Sequence, residues 1–341
     1  MPSGRSGERS STGPIETSHC RASATSSGRT SPAPGSPTGR PPPSPRPSWI
    51  WAGGSCSAGP VTRPPASTNH ASEAPASEAP AEAPDLFGTN YSPAPATAGG
   101  TIIIGDWQEA TQFNPYYYTQ VTEANVAAST WHSLLTITDD FKYIPQLAAE
   151  PIPTTANGGV TVGQNGDAMT VTWKLRDGLK WSDGEPLTCD DYKYAWEWVL
   201  DKDNTAIRAG WENIKDFECA SDTDMIWHFD AIYSGYLTLA VAPLPRHYLK
   251  DIPVADQVKG AGFSVEDIAK LPVSGPFKFE SVTPAAELRL VKNPNYTNAR
   301  TGAPANLDSI IYKWYGDPDA MIAGFRAGEI DVAFDMADSD I

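Results

Sequence analysis

Hydrophobic positions along the chain follow two periods, and both set in only after the pair Gly99-Gly100. Met169-Thr-Val-Thr-Trp-Lys-Leu175 alternates residue by residue, with Met169, Val171, Trp173 and Leu175 on one face and Thr170, Thr172 and Lys174 on the other. That period of two belongs to a half-buried strand. Short β-branched or aromatic runs predict further strands over 101–104, 135–138, 179–181, 225–229, 277–280, 288–291, 310–315 and 330–334. Asp177-Gly178 and Asp183-Gly184 set tight turns on either side of Trp181. Helical spacing appears over 125–135, where Val126, Thr130 and Leu134 form one stripe and Ala127, Trp131 and Leu135 another. Thr188 and the pair Asp190-Asp191 open a helix over 192–200, and Gly328 closes one over 319–327. The expectation is an α/β fold with mixed sheets and no tandem repeat.

Residues 1–98 are a different material. They hold 18 of the 32 prolines and show neither period. Such a stretch cannot bury enough apolar surface to offset its ordering entropy, so it reads as a disordered tail and linker. The repeat Ala71-Ser-Glu-Ala-Pro-Ala-Ser-Glu-Ala-Pro80 is a solvated, semi-extended spacer. Small residues ahead of Cys56 resemble a lipidation site. The 7–15 apolar residues that a signal peptide requires are missing before it. A mis-assigned start therefore competes with lipidation at Cys56.

Charge divides at the same place. Residues 1–70 carry seven Arg against two Glu, whereas the remaining 271 carry 18 basic and 39 acidic residues. So acidic a folded part repels phosphate backbones, which excludes nucleic acid as a partner. No apolar run reaches the roughly 18 residues of a membrane-spanning helix. Of the five histidines, His19 and His70 lie in the tail, and His132, His228 and His247 are scattered without an H-x-x-x-H pair, so no metal or other cofactor is expected. His132 reads first as a packed helix histidine and second as a ligand contact. Phosphate loops, dinucleotide loops and nucleophile elbows are absent, and paired carboxylates such as Asp139-Asp140 sit where turns and caps use them, so no catalytic residues are assigned. What remains is aromatic. The chain has 11 Trp, 13 Tyr and 10 Phe. Trp107 follows the first strand, and Tyr116-Tyr-Tyr118 follows Asn114-Pro115. A strand-end loop bearing Trp, Gln, Asn and Tyr can stack on a ligand and bond to its polar groups.

The stretch from Leu175 to Thr188, reading L-R-D-G-L-K-W-S-D-G-E-P-L-T, resembles the signature of the family 5 extracellular solute-binding proteins, the dipeptide and oligopeptide-binding components of bacterial ABC importers. Cys189 stands where that pattern usually has Ala. Further pieces resemble the family in the same order: the strand after Gly99, the loop from Asp106 to Pro115, Ser133-Leu-Leu-Thr136, Pro145-Gln-Leu-Ala-Ala-Glu150, Ser274-Gly-Pro-Phe-Lys-Phe279, Asn293-Pro-Asn-Tyr296 and the run from Asp319 to Asp331. Together they cover residues 99–341.

The resemblance implies a type II periplasmic-binding-protein-like lobe I with its inserted subdomain, and a lobe II that is largely missing, so that 99–341 is an incomplete solute-binding domain. It implies non-enzymatic capture of extracellular peptide for a membrane permease, with oligosaccharide as second choice, at the outer face of the cell envelope or in a periplasm. Trp107, Gln108, Asn114, Tyr116, Trp131, Ser274 and Gly275 are the ligand-binding positions it suggests. Export, which the resemblance also implies, makes a Cys189–Cys219 disulfide the expectation over two buried thiols. A secreted carbohydrate-active protein, whose paired carboxylates would share one cleft, and a non-functional truncated product stay open as alternatives.

Overall fold

The computed structural model describes residues 87, 97–164 and 166–334. The tail and Cys56 lie outside the described residues. Among the described residues no helix is long and apolar enough to cross a membrane, and no group of three or more His, Cys, Asp or Glu side chains is placed to hold a metal ion.

Among the described residues eleven strands and five α-helices follow one another. They are β1 (Thr101–Asp106), α1 (Val121–Thr130), β2 (Leu135–Ile137), β3 (Tyr143–Pro145), β4 (Val160–Val162), β5 (Met169–Lys174), α2 (Cys189–Leu200), β6 (Ile214–Cys219), β7 (Asp224–Phe229), α3 (Arg246–Leu249), α4 (Val254–Gln257), β8 (Phe277–Thr283), β9 (Glu287–Lys292), β10 (Ser309–Trp314), α5 (Pro318–Ala327) and β11 (Val332–Ala333). Three sheets result: β11-β1-β10-β9-β8, β4-β5-β7-β6 and the pair β2-β3.

In the five-stranded sheet β1 lies parallel to both β10 and β11, while β8, β9 and β10 form an antiparallel meander. Helix α5 returns the chain from β10 to β11 and packs on β1. Asp317 caps it by accepting the Ala320 N–H at 2.8 Å, and Gly328 ends it at φ 77°, a left-handed position that glycine adopts without strain.

The four-stranded sheet is fully antiparallel. The alternating face of β5 buries Met169, Val171 and Trp173, which meet Trp227 of β7 and Phe217 of β6 in one aromatic core. Helix α2 opens on a capping box, in which the Asp191 carboxylate accepts the Thr188 N–H at 2.9 Å. A disulfide joins Cys189 at the start of α2 to Cys219 at the end of β6, with Cα atoms 5.7 Å apart.

Three expectations shift. The first helix covers Val121–Thr130 rather than 125–135, because Gln120 and Glu123 form its capping box and Trp131 turns to extended backbone. The pattern at 179–181 yields only an isolated bridge between Lys180 and Pro186. The strand expected over 330–334 narrows to Val332–Ala333.

Candidate ligand-binding site

Parallel strands end together, and ligands of open α/β sheets bind beyond their carboxyl ends. Here β1 and β11 end side by side, with the Phe334 N–H donating to the Gly105 carbonyl at 3.1 Å. Trp107 and Gln108 leave β1 at that edge, both half-buried. The Gln108 N–H is held at 3.0 Å by the fully buried carboxylate of Asp106.

From there the chain runs to α1 through a loop that a single carboxylate organises. Glu123, buried in the first turn of α1, accepts the Gln112 N–H at 3.1 Å and the Thr111 hydroxyl at 3.3 Å through Oε1. Its Oε2 accepts the N–H groups of Thr119 at 2.8 Å and Gln120 at 3.2 Å. Both ends of the loop therefore hang on one side chain. Between them Asn114 is buried and accepts the Tyr116 N–H at 3.0 Å, which shapes the tyrosine run.

The three tyrosines have different surroundings. Tyr116 donates its hydroxyl to the Ala242 carbonyl at 2.6 Å and packs its ring 5.4 Å from Trp198. Burial pushes its phenol well above the ordinary range. Tyr117 donates its hydroxyl to Asn204 and also packs on Trp198. Tyr118 is 47% exposed.

A recess of about 290 Å³ opens beside this loop, lined among others by Tyr116, Tyr118, Ala127, Trp131, Thr136 and Gln146. A second, of about 530 Å³, shares Thr136 and Gln146 with it and runs on past His132 to Tyr296 and Arg300. His132 lies beyond the end of α1. Burial, and secondarily the charge of Arg176, bring its pKa down to about 4, so the imidazole is neutral near pH 7.

The suggested ligand positions thus fall into three places. Tyr116 and Trp131 line the smaller recess, with Asn114 buried in the loop beneath. Trp107 and Gln108 stand at the strand end, outside the lining of both recesses. Ser274 and Gly275 are spent on the interior. The Ser274 hydroxyl accepts the His132 N–H at 2.9 Å and donates to the His132 carbonyl at 3.2 Å. Gly275 donates its N–H to the Thr130 carbonyl at 2.8 Å and accepts from Asn293 at 2.9 Å. A Cβ at Gly275 would lie 2.6 Å from the Thr130 carbonyl carbon, so this glycine permits a close backbone crossing. Thr136 and Gln146 were not singled out by sequence reasoning and carried no signal there, whereas Tyr118 was named as the last residue of the tyrosine run.

Residues 142–341 match the family model for bacterial extracellular solute-binding proteins, family 5, middle region. The oligopeptide-binding protein AppA of Bacillus subtilis is 28% identical over 237 residues, which cover 68% of this chain and 40% of that protein. A putative ABC transporter peptide-binding protein of Brucella ovis is 30% identical over 254 residues, 72% of this chain and 44% of its own. The solved structure of Bacillus subtilis AppA in complex with a nonapeptide superposes with a TM-score of 0.58 at 26% identity, over 69% of this chain and 44% of that one. The fold is type II periplasmic-binding-protein-like, and the chain spans less than half the length of these relatives.

Proposed function

This chain belongs to family 5 of the bacterial extracellular solute-binding proteins, and on that footing we propose that it captures extracellular peptide for an ABC importer without chemical change to the ligand. The observation that carries the reading is the loop from Trp107 to Tyr118. Its anchors, the buried Asp106, Glu123 and Asn114 and the half-buried Tyr116, are held by hydrogen bonds, which leaves Trp107 and Tyr118 to meet a ligand from a rigid base. A preorganised surface loses little freedom on binding.

Peptide takes precedence over oligosaccharide because both relatives described above carry peptide-binding names. An extended peptide offers regularly spaced main-chain donors and acceptors, and roomy recesses accept side chains through water. The described residues supply one wall of such a site. In this reading the protein works at the outer face of the cell envelope and delivers its cargo to a membrane permease.

Native mass spectrometry of the purified chain with a random nonapeptide pool tests the proposal. Retention of a heterogeneous set of peptides is the expected result. Peptide-free protein under conditions that keep it folded would refute it.

A further inference from the structure

We propose that Phe87 clips the chain ahead of the domain onto the open edge of β3, and so braces the wall that the two recesses share. The hairpin β2–β3 pairs Leu135 with Pro145, Thr136 with Ile144 and Ile137 with Tyr143. A two-stranded hairpin this short is marginal by itself, and a third strand contact strengthens it. The hairpin nevertheless carries Thr136 into the lining of both recesses, and Gln146, the residue after β3, lines both as well. A brace on β3 therefore bears on the shape of both.

The hydrogen-bond phase of the hairpin fixes where such a brace can attach. Thr138 donates its N–H to the Lys142 carbonyl at 2.9 Å, and Gln146 donates its N–H to the Leu134 carbonyl at 2.9 Å. Hydrogen-bonded and non-bonded pairs alternate along an antiparallel ladder, so Tyr143, opposite Ile137, turns its N–H and carbonyl away from β2. The next residue of β3 that faces the same way is Pro145, which has no N–H to give. The open edge of β3 thus offers one backbone donor, at Tyr143. An unpaired strand edge is a template for a further segment. Phe87 takes this place: it bridges Tyr143 in the parallel sense, and its half-buried side chain packs against the core. In the sequence, Leu86-Phe87 is a pair of large apolar residues that follows the Ala/Ser/Glu/Pro spacer. The chain is fastened again at Gly99, whose N–H donates to the Asn306 carbonyl at 2.7 Å, just ahead of β1. Phe87 joins the two-stranded sheet and β1 the five-stranded one, so among the described residues the first attachment of the chain is the hairpin rather than β1.

Amide hydrogen exchange of the full chain, with its tyrosines nitrogen-15-labelled, tests the clip at the Tyr143 N–H. Slow exchange in the wild type, at least tenfold faster in Phe87→Asp and within twofold of wild type in Phe87→Leu, is the expected result. The amide of Tyr312 in β10, which belongs to the other sheet, is expected to keep its rate in both variants, and so separates release of the clip from general loosening. Exchange at Tyr143 as fast as at an open amide in the wild type, a measurement that needs no variant to fold, would overturn the proposal. Equal rates at Tyr143 in wild type and Phe87→Asp, or equal acceleration at Tyr143 and Tyr312, would overturn it too. Peptide capture plays no part in this measurement, so the clip and the ligand reading can fail separately.

Discussion

Trp181 donates its indole N–H to the Asp191 carboxylate at 3.2 Å, which fastens the turn before α2 to the first turn of that helix. The same carboxylate accepts the N–H groups of Thr188 at 2.9 Å and Arg246 at 3.0 Å. Burial raises the pKa of Asp191, and the three donors partly oppose that rise. Replacement by Ala strands these buried donors. Asp191→Ala is expected to lower unfolding free energy by about 2–4 kcal/mol, on the usual cost of buried groups left unpaired. Denaturant midpoints measure it, and a change below about 1 kcal/mol would show the donors finding other partners.

Glu123 holds the loop that we propose meets the ligand, rather than the ligand itself. Glu123→Gln keeps the shape but replaces an acceptor oxygen with an amide donor, which cannot accept the N–H groups it faces. The expected result is peptide affinity reduced about tenfold, the equivalent of 1.4 kcal/mol, together with faster hydrogen exchange at Gln112, Thr119 and Gln120. Unchanged exchange at those amides would remove Glu123 from this role.

The Cys189–Cys219 bond closes a segment of 30 residues between α2 and β6. In the chain-entropy account a loop of that length contributes about 3–4 kcal/mol. Reduction, or Cys219→Ser, is therefore expected to lower the denaturant midpoint without altering the far-ultraviolet circular dichroism of the native state. An unaltered midpoint would contradict it.

On β7, an inner strand of the four-stranded sheet, His228 bridges two acids, with Nδ1 2.9 Å from Asp167 and Nε2 3.3 Å from Glu218, while Lys215 lies 2.5 Å from Asp167. Partial burial opposes the imidazolium, yet the hydrogen bonds to Asp167 and Glu218 outweigh it, and the pKa of His228 rises above 6.5. Asp167 falls below 3.8, chiefly through its hydrogen bond to Lys215 and then that to His228. The raised His228 contributes fully below its ordinary 6.5, and that contribution is lost as pH climbs through the folded value. The depressed Asp167 contributes above 3.8 and is lost as pH falls further. The cluster is thus strongest between these two values. His228→Gln should lower the melting temperature more at pH 5.5 than at pH 8.5. An equal loss at both would deny the linkage.

Much of the fold was legible because burial imposes a clear period. Met169, Val171, Trp173 and Leu175 are all buried, and the cap residues Thr188 and Gly328 act locally, where sequence suffices. Strand β6 escaped notice because its register shifts between Ile214 and Asp216, which breaks the alternation among Lys215, Asp216 and Glu218. The start of α1 was misplaced since Gln120 is an uncommon cap, and its end because the Thr130 carbonyl is claimed by Gly275, 145 positions away. The site divided along the same line. Tyr116 and Trp131 could be read from a local cluster. The His132 recess could not, because its walls come from 132–146 and 296–300, and only tertiary packing brings them together. Spacing likewise gave no sign that the polar groups of Ser274 are consumed by the backbone of His132.

Titration of one nonapeptide into the wild-type chain, Trp107→Ala and Tyr118→Ala, with melting temperatures followed in parallel, tests capture at the strand-end loop most directly. Saturable one-to-one binding by the wild type, weakened at least tenfold in each variant at unchanged melting temperature, is the predicted result. Wild-type affinity in both variants, or no binding by the folded wild-type chain, would contradict it.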